Sequence, residues 1–373
     1  MEQILQRTLE QVTCVLQTYP ERSVETLYVG GGTPSALDGA ARERMLETIQ
    51  TVVTANPAIR EVTVEVNPED TDHRLLAALA LVGVNRISLG IQTLRDPVLA
   101  RIGRVGGGDT NRKALSTMRD MWSPGVDRRT HWSADLIVGI PGYTLRKIRE
   151  DLQKIIAAGA DHLSVYELSL EKNTVLGWKH RRNLFQEMPA SEVLSQLHGV
   201  RDFLSDHGFS RYEVSSYARE DGRGIHNSAY WDMAPHLGCG PGAVGTMPEP
   251  WPVRHVVTGN FRRFLESPDF GMDREPLPRL QFMQEVLMMG MRLQSGLDDS
   301  RFAGIFGVSL QQILPETLHK WHFFLAADPE GTPPRWVLPE THRDVLDSVI
   351  LDAFRELDAR VLEDPSLDRP WSK

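Results

Sequence analysis

The sequence predicts an α/β protein: a parallel sheet with helices packed outside it, followed by a helical C-terminal domain. Three observations carry this. Between Leu5 and Leu168, short apolar runs alternate with helical patterns at strand–helix spacing. Polar residues gather at or beyond the C-terminal ends of the expected strands, at Gly30–Thr33, Glu65, Gln92, Asp135 and Glu167, where βα units collect ligands. From about Arg279 the pattern changes to helices with few strands. A barrel and an open doubly wound sheet both fit the alternation, and the placement of the polar residues favours the barrel.

Each element has its own signal. Leu5, Leu9, Val12 and Leu16 repeat at helical spacing. Thr26–Val29 reads as a buried strand ended by three glycines, and Met45, Ile49, Val52 and Val53 give the face of the next helix. Glu61–Val66 is rich in β-branched residues and stops at Asn67-Pro68. Thr71–Val82 is helical and ends at Gly83; Arg86–Ile91 is the following strand. Trp132–Ile137 is another, ending in Gly139-Ile140-Pro141-Gly142. Leu145, Ile148, Leu152, Ile155 and Ile156 face one side of a helix stopped by Gly159, and His162–Leu168 is the next strand. Beyond Arg279, apolar positions run through Val286, Leu287 and Leu293, then Leu310, Ile313, Leu314 and Leu318, then Val345, Leu346, Val349, Ile350 and Phe354. Trp336-Val337-Leu338 reads as a short strand of a winged-helix-like arrangement. A boundary near Pro276–Pro278 gives domains 1–275 and 276–373, and residues 363–373 read as a frayed tail.

Composition narrows the function classes. With 373 residues, 41% hydrophobic and 24% charged, the chain reads as a soluble globular protein long enough for a large domain and a smaller one. A net charge of -9 without a long basic run gives nucleic-acid binding little support. No apolar stretch approaches the roughly 18 residues a transmembrane helix needs. The N-terminus reads as neither a signal nor a transit peptide. Cys14 and Cys239 cannot make a disulfide framework, which suggests reduced thiols and a cytoplasmic setting.

The densest chemical signal is His226-Asn227-Ser228-Ala229-Tyr230-Trp231. Imidazole is a common axial ligand of haem iron, and flat aromatic rings suit a porphyrin plane. The bland alternative for His226 is a histidine that packs or hydrogen-bonds. Leu237–Ala243, a glycine-rich and flexible loop, follows closely and favours a site here. Gly30-Gly31-Gly32 lets backbone groups approach a ligand, or simply makes a tight turn. It is no phosphate loop, because the glycine spacing is wrong and no Lys follows. Glu65 and Asp135 can accept ribose hydroxyls or an amino group, or be satisfied by backbone amides. Gln92 offers a donor and an acceptor, and Arg104 can pair with a carboxylate. No HExxH motif and no nucleophile motif stands out, and Cys239 reads as an inert buried thiol.

Taken in order, these motifs resemble the coproporphyrinogen oxidase-like radical SAM superfamily, and within it the HemW-type haem chaperones. The resemblance runs through Tyr28–Ser35, Glu65–Pro68, Arg86–Gln92, Ile102–Arg104, Asp135–Gly142, Ser164–Leu168, Arg211–Ser215, the HNxxYW run and Met288–Leu293. It implies a partial (β/α)6 radical SAM-type barrel, lacking its first strand, with a helical, winged-helix-like C-terminal domain. It implies haem contact at His226, Tyr230 and Trp231, with His226 on the iron. It also implies a pocket for S-adenosyl-L-methionine (SAM) at Gly31, Gly32, Thr33, Glu65, Gln92, Arg104 and Asp135, weak or vestigial here.

Two departures accompany the resemblance. The family's CxxxCxxC triplet, which holds a [4Fe–4S] cluster, is not in the sequence, and Val105-Gly106-Gly107-Gly108 stands where a His usually follows Arg104. Either an upstream segment carries the triplet, and with it the [4Fe–4S] cofactor, or the lineage has lost it. The exposed edge left at Thr26–Val29 favours the first. The function expected is haem binding and transfer to an acceptor protein. The alternatives are oxygen-independent coproporphyrinogen III oxidation, which needs the cluster, and a cluster-free remnant with a structural role. No catalytic residue is expected of the chain as it stands.

Overall fold

The computed structural model describes residues 1–104, 106–122, 130–326 and 333–371. The chain forms two compact units. The first comprises Met1–Glu2, Val12–Arg211 and Ser215–His226; the second comprises Gln3–Gln11, Tyr212–Val214 and Asn227–Lys373. The boundary expected at 275/276 coincides with the end of a strand, whereas the second compact unit takes in the chain from Asn227 onward.

The first unit is built on strand–helix alternation. Helix α1 (Glu2–Thr18), whose residues 3–11 count with the second unit, leads into strand β1 (Thr26–Val29). Helix α2 (Gly39–Ala55), strand β2 (Glu61–Val66), helix α3 (His73–Leu81) and strand β3 (Arg86–Gln92) follow. Two helices the periodicity did not resolve, α4 (Asp96–Arg101) and α5 (Gly108–Met121), precede β4 (His131–Val138), α6 (Leu145–Ala157) and β5 (His162–Glu167). Helices α7 (Val175–Arg181) and α8 (Ala190–Asp206), then β6 (Ser210–Arg211) and β7 (Ser216–Ala218), complete the unit. The sheet order is β1-β2-β3-β4-β5-β7-β6, parallel through β5 and antiparallel beyond it, so β1 lies at an edge.

Local chemistry sets the helix ends. Asp72 caps α3 by accepting the amide of Leu75 at 2.8 Å, and Gly83 turns the chain out of it at φ +91°. One face of the strands packs on the helices. Val62, Val64, Val66, Ile87, Leu89, Trp132, Ala134, Leu136 and Leu163 are all buried in one cluster with Ile49, Leu76, Ile148 and Leu152. The alternate residues of the same strands form a polar face. Register pairs Thr63 with Arg86, Glu65 with Ser88, Ser88 with Ser133, and Asp135 with Ser164. The strands are thus not uniformly apolar, as buried parallel strands tend to be.

Helix α9 (Ile225–Trp231) starts in the first unit and ends in the second. An antiparallel sheet the sequence did not announce follows, β8 (Val244–Pro248), β9 (Pro252–Val257) and β10 (Met272–Pro276), with α10 (Phe261–Glu266) inserted before β10. Short strands flanked by prolines gave it little periodic signal. Then come α11 (Arg279–Arg292), β11 (Leu297–Asp298), α12 (Asp299–Phe306), α13 (Leu310–Ile313) and α14 (Pro315–Lys320). Strands β12 (Phe324–Ala326) and β13 (Arg335–Val337) and helix α15 (Leu346–Glu363) close the unit. Strand β13 pairs antiparallel with both β11 and β12 beside these helices.

Three local expectations need correction. Residues 363–371 are not frayed. Asp368 accepts the amide of Leu280 at 2.8 Å, the Trp371 indole donates to the Leu277 carbonyl at 2.9 Å, and the Trp371 ring stacks on Trp251. Ser372 and Lys373 lie outside the described residues. The Leu237–Ala243 run is held rather than loose: Gly240 donates to the Gln11 side chain at 2.8 Å and Gly242 donates to the Thr258 carbonyl at 3.2 Å. Val345 is exposed, at 45%, so the apolar face of α15 begins at Leu346.

Candidate functional site

The polar face of the first sheet gathers most of the residues expected at the barrel mouth. Glu65 is the fifth residue of β2, and it accepts a hydrogen bond from the Tyr28 hydroxyl at 2.7 Å. Asp135 lies inside β4 rather than at its end, and it accepts from Ser88 at 3.2 Å and from Ser164. Burial raises the Asp135 carboxyl to about 6; the two serines and the charge of Arg104 oppose this, and the charge of Glu65 adds to it. Burial also drives the Tyr28 hydroxyl up, with Glu65, Asp135 and Tyr166 adding to the shift, so Tyr28 is a donor at all physiological pH. Glu65, Asp135, Tyr28, Tyr166 and Arg104 therefore share one electrostatic environment.

Backbone geometry shapes the same mouth. A Cβ on Gly30, just past β1, would meet the Glu65 carboxyl and the Tyr28 ring at 2.7 Å, so a larger residue there would displace the Tyr28–Glu65 pair. Gly31 and Gly32 have φ +80° and +128°, and a Cβ on either would meet nothing within 4 Å, so their backbone borders open space. Thr33 sits beyond them, opening a 3₁₀ turn at Pro34–Ala36. Gln92 is buried with φ 61°, at the end of β3, where the ladder to β4 slips register after Leu89. Left-handed backbone in a non-glycine residue beside a bulge is strain of the kind found at functional sites. A Cβ on Gly90 would lie 3.3 Å from the Gln92 amide nitrogen and 3.9 Å from the Arg104 guanidinium, which places these two side chains over one glycine.

Strand alternation puts Glu167 on the opposite face from Tyr166 and Asp135, so it does not join this group. Of the departure after Arg104, Val105 lies outside the described residues, while Gly108 donates its amide to Asp96 at 2.7 Å.

The donor set fits a ligand bearing an ammonium, a carboxylate and ribose hydroxyls. It comprises two carboxylates, a guanidinium, an amide and glycine backbone. The residues do not fit an iron–sulfur cluster. Cys14 is exposed in the first unit, Cys239 belongs to the second, and no metal-holding group of three His, Cys, Asp or Glu residues occurs among the described residues.

Helix α9 is anchored from its N-terminus. Glu61, 4% exposed, accepts the amides of Ile225 and His226, each at 2.9 Å, and the Arg86 guanidinium at 2.8 Å. Arg86 in turn donates to the carbonyls of Gly222 and Arg223, each at 3.1 Å. A carboxylate at the first helical amides offsets the partial positive charge there. His226 is half-buried. Its Nδ1 is 2.9 Å from the Thr26 hydroxyl, and its ring stacks on Tyr28 with centroids 5.2 Å apart. Glu61, Arg86, Thr26 and Tyr28 hold His226 and the start of its helix, a role the sequence reading assigned to none of them. The visible trace was polar residues alternating along apolar strands.

The aromatic pair of the HNxxYW run lies in the second unit. Tyr230 packs against His236 with centroids 4.4 Å apart, and the Arg292 guanidinium covers the Trp231 ring at 4.7 Å. Burial raises the Tyr230 hydroxyl. Burial also holds His236 below its ordinary range; its hydrogen bond to Ala234 opposes this, and the charge of Arg254 adds to it.

Comparison with known proteins gives the family. The Radical SAM superfamily profile matches residues 3–155, and the HemN C-terminal domain profile matches residues 277–322. The heme chaperone HemW of Mycobacterium tuberculosis is 32% identical over 306 residues, covering 80% of this chain and 75% of that protein. The heme chaperone HemW of Lactococcus lactis is 29% identical over 313 residues, covering 83% and 80%. The mitochondrial radical S-adenosyl methionine domain-containing protein 1 of Bos taurus is 32% identical over 320 residues, covering 82% and 68%. The solved structure of Escherichia coli coproporphyrinogen III oxidase (HemN), a radical SAM enzyme, superposes with a TM-score of 0.74 at 17% identity, covering 94% of this chain and 82% of that one; this likeness shows the fold. A radical SAM-type sheet followed by a HemN-type C-terminal domain defines the class. The chain belongs to the HemW family within the radical SAM superfamily.

Proposed function

We propose that this protein binds haem and hands it to an acceptor protein. The observation that carries this is similarity over most of the chain to several proteins named heme chaperones, together with a helix that presents His226, Tyr230 and Trp231. An imidazole supplies an iron ligand and aromatic faces stack on a porphyrin. His226 and Tyr230 stand four residues apart, on one side of α9. The Glu61 carboxylate supports the reading by fixing where that helix begins. The acceptor is a protein of unassigned identity.

SAM would be held at the mouth of the first sheet, with Gly31, Gly32 and Thr33 offering backbone, Glu65 and Asp135 taking the ribose and amino groups, and Gln92 and Arg104 adding polar contacts. Bound there, it would supply a sulfonium group.

Titration of the purified chain with ferric haem tests the haem reading. The wild type develops a Soret band, and His226→Ala weakens binding by about tenfold or more. An unchanged Soret band and affinity in His226→Ala would remove His226 as an axial ligand, and no binding by the wild type would remove the function.

A further inference from the structure

His226 is held at three points within the first unit. The ladder pairs Thr26 of β1 with Glu61 of β2, and these two facing residues take the two ends of the same histidine. The Glu61 carboxylate accepts the His226 amide at 2.9 Å, and the Thr26 hydroxyl lies 2.9 Å from the ring nitrogen Nδ1. Two residues along β1, on the same face of the strand, Tyr28 stacks its ring on the imidazole with the planes 25° apart. Main chain, ring edge and ring face are therefore each fixed by a different side chain.

Such a hold decides which nitrogen can bond to iron. A neutral imidazole has one N–H and one lone pair in its ring plane. Nδ1 is within hydrogen-bonding distance of Thr26, so ligation through Nδ1 would break that contact. Ligation through Nε2 keeps it. The proton then sits on Nδ1 and donates to the threonine oxygen, which has lone pairs to accept it. Metal-ligating histidines almost always donate their second N–H to a neighbouring oxygen, which fixes the tautomer and raises the basicity of the ligating nitrogen. A β-branched residue suits the task, because its χ1 is stiff and holds the hydroxyl in place.

We infer that Thr26 is a positioning residue for the iron ligand: its hydroxyl accepts the Nδ1–H of His226 and commits Nε2 to haem iron. The inference rests on the haem reading above and deepens it, since it says how the proposed ligand is oriented and tuned. A threonine that only packs beside the helix start would be replaced without loss by valine, which has the same shape and no hydroxyl.

Ferric haem and metal-free protoporphyrin IX are titrated into the full chain as wild type, His226→Ala, Thr26→Val and Thr26→Ser, and the reduction potential of bound haem is measured in the wild type and the two Thr26 variants. Thr26→Val loses about tenfold in affinity for ferric haem, while its affinity for the metal-free porphyrin stays within about twofold. Its haem potential rises, because a less basic imidazole stabilises ferric iron less. Thr26→Ser, which keeps the hydroxyl, returns affinity and potential to wild-type values. Wild-type affinity and potential in a folded Thr26→Val overturn the inference and leave the haem reading standing. A loss that is equal for both porphyrins, or that Thr26→Ser does not restore, also overturns it, since either marks a packing role. Unchanged binding in His226→Ala removes the ligand and the inference with it, and absence of ferric haem binding by the wild type removes the haem reading as well. Should Thr26→Val fail to fold by circular dichroism, Thr26→Ala replaces it under the same criteria.

Discussion

At the scale of single residues, two buried titrating groups of the first sheet act in opposite directions on stability. Asp135 is raised to about 6, above its ordinary range, chiefly by burial. Between about pH 4 and 6 the folded chain holds a proton there that the unfolded chain has released, so this contribution to stability is lost as pH rises through that window. His162 is lowered to about 3, chiefly by burial and further by the charge of Arg86. There the unfolded chain binds the extra proton, so its contribution is present above about pH 6.5 and lost as pH falls toward 3. Asp135→Asn should remove the decline with rising pH, and His162→Gln should remove the decline with falling pH. Urea midpoints between pH 4 and 8 check both, and unchanged pH profiles in the two variants would show that neither group differs from its unfolded state. The sequence made Asp135 visible as a polar residue in an apolar strand. It could not show that Ser88, Ser164 and Glu65 surround it, because they come from three other strands.

At the scale of elements, the decisive feature is the start of α9. A seven-residue helix has little stability of its own, since nucleation is costly. Its first amides are held instead by Glu61, within a buried pair with Arg86. Glu61→Gln leaves Arg86 buried without its counter-ion, and breaking such a pair costs about 3–5 kcal/mol. The expected result is a loss of that order in unfolding free energy, together with hydrogen-exchange protection lost at Ile225 and His226 but kept in β3 and β4. Unchanged protection at those two amides would mean that something else holds the helix. The strands themselves were readable, because β-branched and apolar runs and their glycine or Asn-Pro stops are local: Thr26–Val29 and Glu61–Val66 stand where those signals placed them. Helices α4 and α7 and the β8–β10 sheet were not read, since short or proline-flanked segments repeat too few times to give a period, and the longer α5 and α8 were not read either.

At the scale of the whole molecule, the cysteines and the mouth of the first sheet decide the expected cofactor behaviour. The sequence has two cysteines and cannot supply three thiolates, so anaerobic reconstitution of this 373-residue chain should give substoichiometric iron. Stoichiometric iron and sulfide with a cluster signal on reduction would refute that. The mouth keeps its shape without a cluster, because strands and glycine turns build it. With no cluster iron to anchor its amino and carboxylate groups, SAM should nonetheless bind weakly, in the high-micromolar range or above, since each ~1.4 kcal/mol of lost anchoring costs tenfold in affinity. Calorimetry giving a submicromolar dissociation constant would show a retuned pocket.

What the sequence by itself determined is the set of features that repeat or follow one another along the chain. These are the strand–helix alternation up to Glu167, the helical C-terminal pattern, and the ordered motifs from Tyr28 to Leu293 that identify the family. Tertiary structure alone decided which groups share a site. Thr26 meets His226 across 200 positions, Glu61 meets the start of α9 across 164, and α11 closes a cleft whose other walls come from Tyr230 to Leu277. The reason is physical. Periodicity records which face of an element is apolar, and that is set by neighbours a few residues away. A hydrogen bond between distant residues depends on the path of the whole chain, and one sequence carries no local trace of that path.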